Sequence, residues 1–175
     1  YFSSLGKSRF MLAEDQKGLQ RTQQIFDQLL QHHSGRKLDY KLSIIEMDSP
    51  NAFAMPGGSI GVSRALLKEV HSDIGLAMVL AHELGHHEFR HTLKQLGRNI
   101  IIGVAFGLIS ADNGLVNASI SSLSNSHSRE QERQADAFGI ELVYKTYGST
   151  QGALEFFEVI STEHNHEESQ FKEFF

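Results

Sequence analysis

Cysteine is absent from all 175 residues, which removes disulfides, thiolate metal sites and a thiol nucleophile. Any long Lys/Arg cluster is also missing and the formal net charge is −5, so the phosphate-neutralising surface that drives nucleic-acid binding is not there. Spanning a bilayer takes about 20 apolar residues. The most apolar run, Ile100 to Ile109 (IIIGVAFGLI), is about half that and reads as a buried helix, with a bilayer surface or a partner as the other reading. The chain opens at Tyr1 without a basic segment leading into an apolar core, so a leader or anchor is expected to have been removed or never to have existed.

What is present is ordinary globular composition: 40% hydrophobic and 21% charged residues argue against disorder and coiled coil. The length fits one domain over residues 1–175 with a real core. Helical spacing predicts a helix from Ala13 to His33, and alternation predicts a strand from Tyr40 to Met47. Ala52 to Met55 and Ser59 to Val62, separated by Pro56-Gly57-Gly58, read as a hairpin. A short helix is expected over Ala65 to Val70, then a long one capped by Ser72 or Asp73 and running to about Leu96. A Ser/Asn-rich stretch from Ala111 reads as a loop leading into a weak helix. Two further helices follow, Ser128 to Tyr147 closed by Gly148, and Ser149 or Thr150 to Thr162. The fold class is α+β, mainly helical, with a small sheet.

The long helix contains HELGHHEFRH, His82 to His91, which satisfies the zinc-protease pattern H-E-x-x-H twice. Two histidines four apart on a helix lie about 40° from each other, so both imidazoles reach one ion with the intervening Glu beside it. Within about 60° of His82 lie Gly75, Met78, Val79, His86, Phe89 and Leu93, an apolar face that should point inward. His87 and His91 project to the opposite side with Glu88, Lys94 and Gln95, a half that looks solvated. The first frame therefore holds the metal, with His82 and His86 as ligands and Glu83 as base. The second frame would also place the Arg90 guanidinium beside a cation. On this reading, replacing His91 leaves the metal untouched.

Zinc catalysis needs a third protein ligand. Downstream, SREQERQADAFGIEL puts Glu132 and Asp136 one turn apart, with Ala135 and Gly139 small enough for another helix to come close. That face reads either as a ligand and its supporting carboxylate or as a solvated charged surface. Three separated segments, Asn51 to Gly58 (NAFAMPGG), His82 to His86 (HELGH) with Arg90-His91, and Ser128-Arg129 with Glu132 and Ala135-Asp136, together resemble the gluzincin metallopeptidases that include HtpX and the CAAX prenyl proteases. The resemblance covers roughly Lys41 to Phe157. It implies a zincin-like fold and one zinc ion held by His82, His86 and Glu132, with Glu83 as catalytic base and Asp136 supporting a ligand. It also implies that Asn51 and Ala52 form an edge strand pairing with an extended polypeptide substrate, against a simple turn role for Asn51.

Many soluble members of that family are bacterial periplasmic proteins, which implies a periplasmic or membrane-associated setting. Members usually continue to a Ser/Thr-His-Pro segment near the metal, and none follows here before Phe175. The implied activity is hydrolysis of peptide bonds in protein substrates, with unfolded or misassembled proteins among the expected ones. The alternative is a latent or non-cleaving, chaperone-like zinc protein of the same fold. Arg129 is open to two uses, as an oxyanion donor or in a structural ion pair.

Overall fold

Thr22, Ile25, Phe26 and Leu29 recur at three- and four-residue steps and are all buried, the stripe a 3.6-residue period generates. They belong to helix α1 (Ala13–His32), the first element in a computed structural model that describes residues 13–97, 127–155 and 157–158. Arg21, on the same helix, reaches the next layer. Its Nε donates to Asp73 Oδ1 at 2.8 Å and its Nη2 to the His71 carbonyl at 2.6 Å.

Three strands follow, β1 (Lys41–Ile45), β2 (Ala52–Met55) and β3 (Ser59–Ser63), in the sheet order β1-β3-β2. β2 and β3 form the expected antiparallel hairpin, Ala52 opposite Val62 and Met55 opposite Ser59. β1 runs parallel to β3, which leaves β2 on an edge. The connecting Gly57 and Gly58 have φ of 90° and 95°, a region in which a Cβ is disfavoured. β1 is shorter than the alternation suggests: Tyr40 precedes it, and its ring sits edge-on to Phe26 with centroids 6.3 Å apart.

Helix α2 (Arg64–Glu69) is capped by Ser63 and helix α3 (Asp73–Glu88) by Ser72, whose side chains accept from the N–H of Leu66 and Gly75. Two expectations about α3 need correcting. It has no solvated half, because every residue from Gly75 to His87 is buried, as in a helix enclosed by other elements. It also ends at Glu88 rather than near Leu96. Phe89 and Arg90 form a turn with Arg90 at φ 58°, and residues 91–97 resume as a separate helical segment. A projection at 100° per residue fails across that break, so His91 comes back inside, 1% exposed.

Helix α4 (Arg129–Tyr147) matches its expected span. Ser128 and Gln131 close a reciprocal capping box, and Gly148 terminates it in the left-handed conformation. α4 lies against α3 through Ala135 and Gly139. A Cβ added at Gly85 would meet Ala135 Cα at 2.9 Å, and one added at Gly139 would come within 3.2 Å of the His82 backbone nitrogen. Beyond α4, residues 151–153 form a turn and 154–155 and 157–158 are helical. Leu154 is 69% exposed and so does not serve the core, whereas Phe157 packs against it. Glu155 bridges back to α3: its carboxylate accepts from the N–H groups of His71 at 2.6 Å and Ser72 at 2.9 Å and from the Ser72 hydroxyl.

The core gathers Phe26 and Leu29 from α1, Ile60 and Val62 from β3, Leu76 to Leu84 from α3, and Leu142 and Val143 from α4. The fold is thus mainly helical with a small three-stranded sheet. Among the described residues no helix is long and apolar enough to cross a membrane. The run Ile100 to Ile109, the Ser/Asn-rich stretch from Ala111, and the tail with His164 and His166 lie outside the described residues.

Candidate metal centre

Close packing of α3 on α4 brings the histidines of the first frame to the acidic residues of α4. His82 Nε2 and His86 Nε2 lie 3.0 Å apart, and Glu132 places one carboxylate oxygen 3.3 Å from the first and the other 3.7 Å from the second. Tetrahedral zinc ligands at about 2.0–2.1 Å from the ion lie about 3.3 Å from one another. The three donors therefore have the identity and spacing that a zinc ion takes, and their convergence fits the implied ligand set. Asp136, one turn after Glu132, sits with Oδ1 2.9 Å from His82 Nδ1. A carboxylate there fixes the ring so that Nε2 is free to ligate.

The electrostatics favour positive charge at His82. Burial opposes a charged ring, but hydrogen bonds to Asp136 and Glu132 outweigh it, with Glu83 and Glu132 adding their fields, and the pKa is raised to about 10. The carboxylates of Asp136, Glu132 and Glu83 that raise it set a negative field that also favours a bound cation. His86 goes the other way, to about 2, through burial first and then the fields of His82, His127, His91 and His87. Glu83 is 6% exposed. Burial raises its carboxyl to about 7, with His82 opposing, Glu132 reinforcing and a hydrogen bond from the Ala54 backbone opposing. A carboxyl that titrates near neutrality and lies in one cluster with His82 and His86 is suited to taking and returning a proton.

The donors of the second frame do not converge on one point, although not for the reason the helix projection supplied. His87, Glu88 and His91 are engaged in three different directions. His87 Nε2 is 3.1 Å from the Ser59 carbonyl of β3. Glu88 accepts from the Arg36 N–H at 2.8 Å and lies 3.3 Å from His33 Nε2. His91 Nδ1 is 3.0 Å from His86 Nδ1, and its Nε2 is 3.1 Å from Gln134 Oε1.

Around these, His127 stacks on His86 with ring centroids 4.0 Å apart and offers a nitrogen within 4.8 Å of donor atoms of His86 and Glu132. Neither it nor Gln134 had a signal in the sequence, since both depend on how α4 meets α3. Arg129 is exposed in the first turn of α4. Just before β2, the Asn51 carbonyl accepts from Ser63 N–H at 2.8 Å and its own N–H donates to Ser63 Oγ, so the main chain of Asn51 is turned towards β3. By strand alternation Ala52 and Ala54 present theirs to the side away from β3, where the Ala54 backbone N–H is engaged by Glu83. The Ala54 carbonyl there accepts from Thr92 Oγ1 at 3.2 Å.

The chain is similar in sequence to known proteins. It is 30% identical over 114 residues to the mitochondrial metalloendopeptidase OMA1 of Saccharomyces cerevisiae, covering 63% of this chain and 33% of that protein. It is 30% identical over 138 residues to the metalloprotease YcaL of Escherichia coli, covering 74% and 53%. To a putative beta-barrel assembly-enhancing protease of Vibrio cholerae it is 27% identical over 146 residues, covering 74% and 30%. The chain thus spans between about a third and a half of the length of these relatives. The model of peptidase family M48 matches residues 16–175. With that match over nearly its whole length, and with two helical histidines and a downstream glutamate brought together, the chain belongs to peptidase family M48.

Proposed function

We propose that this chain is a zinc-dependent endopeptidase that hydrolyses peptide bonds in polypeptide substrates. The observation that carries the reading is the convergence of His82, His86 and Glu132 with a buried Glu83 in contact with the same site. Held by those three residues, a zinc ion would polarise the scissile carbonyl and acidify the attacking water. Glu83 takes the water's proton and passes it to the leaving amine. Asp136 holds the His82 ring in the ligating orientation through Nδ1.

The edge of β2 at Ala52 is the natural seat for an extended substrate, with Ala52 offering its main-chain groups and Asn51 only its side chain. Beside it, a cavity of about 100 Å³ is bounded by Leu38, Pro56, His86, Arg90 and Leu93. That position, against a metal ligand and the end of the edge strand, suits a substrate side chain flanking the scissile bond.

Unfolded or misassembled proteins are the proposed substrates and the bacterial periplasm or a membrane surface the proposed setting, supported by relatives such as the beta-barrel assembly-enhancing protease. A non-cleaving, chaperone-like role is less favoured, because the family match and the relatives named as proteases support a hydrolase. Metal analysis of wild type, Glu83→Gln and Glu132→Ala, paired with cleavage of an unfolded protein, tests the reading. Zinc is expected to stay in Glu83→Gln while cleavage is lost, and to be weakened in Glu132→Ala. Wild-type cleavage by Glu83→Gln would remove the proposed mechanism.

A further inference from the structure

We infer that His91 is a positioning residue for the metal ligand His86, through a hydrogen-bonded chain that runs from His86 through His91 and Gln134 to Glu130. The inference rests on the zinc-site reading above and adds a residue to it.

The chain is closed by its own donor and acceptor logic. With His86 Nε2 turned to the other ligand atoms, its proton must sit on Nδ1, which donates to His91 Nδ1 at 3.0 Å. His91 Nδ1 is then an acceptor, so the proton of His91 sits on Nε2 and donates to Gln134 Oε1 at 3.1 Å. The Gln134 amide has its nitrogen free to donate, and it does so to Glu130 Oε1 at 3.2 Å. Each link fixes the tautomer of the one before it. His82 receives a carboxylate directly from Asp136, whereas His86 reaches one, Glu130 of the same helix, only through the neutral side chains of His91 and Gln134. Metal-bound histidines characteristically have their second ring nitrogen engaged in this way.

The backbone is shaped to deliver His91 to that place. Arg90 holds φ 58°, a conformation that costs a non-glycine residue about 1 kcal/mol or more and that persists where the surroundings impose it. The turn it makes returns His91 beneath His86. There the His91 ring is 1% exposed and stacks on Phe89 with centroids 5.5 Å apart.

The test compares zinc affinity, by competition with a chromophoric chelator, among wild type, His91→Leu, His91→Asn and Gln134→Leu. Leu fills the space without an acceptor, while the Asn Oδ1 occupies the place of the imidazole Nδ1. The expected result is about 10- to 100-fold weaker zinc binding in His91→Leu, substantial recovery in His91→Asn, and a smaller loss in Gln134→Leu. Nitrogen NMR of zinc-loaded wild type should show the His91 proton on Nε2.

Unchanged affinity in His91→Leu, no recovery in His91→Asn, or a proton on His91 Nδ1 overturns the assignment. Should His91→Leu fail to fold, Gln134→Leu decides, and unchanged affinity there overturns it too. Failure of the underlying site reading looks different: wild type would bind no zinc, or Glu132→Ala would bind it as well as wild type.

Discussion

Gly85→Ala is expected to damage the metal site more than the fold. The added Cβ would lie 2.9 Å from Ala135 Cα and 3.2 Å from the Ala135 carbonyl oxygen, both backbone atoms of α4. Carbon contacts settle at about 3.5–4.0 Å, so the helices must move apart by roughly 0.6–1.1 Å. Such overpacking costs about 1–3 kcal/mol, and replacing glycine inside a helix returns about 0.5–1 kcal/mol. The net loss is therefore about 0–2.5 kcal/mol in the metal-free protein, on the same principles. α4 carries both Glu132 and Asp136, and a ligand constellation tolerates only about 0.5 Å of displacement. Zinc affinity should fall about ten-fold or more, read by chelator competition, while the urea midpoint of the metal-free protein shifts modestly. Gly139→Ala is the comparison: its nearest clash is the mobile Met78 methyl at 2.9 Å, with the His82 nitrogen at 3.2 Å, and its effect should be smaller. Wild-type zinc affinity in Gly85→Ala would refute the claim that helix spacing sets the ligand geometry.

Other expectations follow from single contacts. Glu83→Gln should lower cleavage by at least about 10²-fold with zinc retained. In the metal-free protein the Glu83 carboxyl is raised from 4.5 to about 7, so the folded state binds more protons across that interval and stability should fall as pH rises through it. Glu83→Gln should flatten that slope, and an unchanged slope would assign it elsewhere. Asp136→Asn should weaken zinc about 10- to 100-fold, whereas wild-type affinity would deny Asp136 its role at His82. At Glu155, burial works to raise the carboxyl, but hydrogen bonds from Ser72 and His71 outweigh it and hold it below its ordinary value. A depressed pKa contributes stability above the unfolded value and loses it as pH falls through the folded one. The urea-midpoint gap between wild type and Glu155→Gln should thus be present at pH 7 and close on acidification, and a constant gap would exclude the linkage.

The elements that carry the site were readable because their signals are local. Ser72, Ser63 and Ser128 each cap the helix that follows, Gly148 ends α4 where a left-handed residue was required, and Pro56-Gly57-Gly58 makes the hairpin turn. The spacing of His82 and His86 is likewise a property of one helix. The assumption that failed was continuity. The pattern through Phe89 and Arg90 continues the helical repeat, and nothing in those two letters announces that Arg90 adopts φ 58°. His91 consequently read as solvated when it is buried, whereas His87, inside α3, read so because one helix's own pattern does not show that other elements cover all its faces.

The sequence by itself singled out the candidate metal-binding side chains, how far apart two of them stand on α3, and that small residues at Gly85, Ala135 and Gly139 permit a close helix partner. Only the tertiary structure decided which residues complete those ligands. Glu132, Asp136 and Gln134 meet His82, His86 and His91 across more than 40 positions of chain, and that meeting depends on where α4 settles against α3 and on the turn at Arg90. Periodicity fixes directions within one element. The distance and rotation between elements come from side-chain packing, which no local pattern encodes.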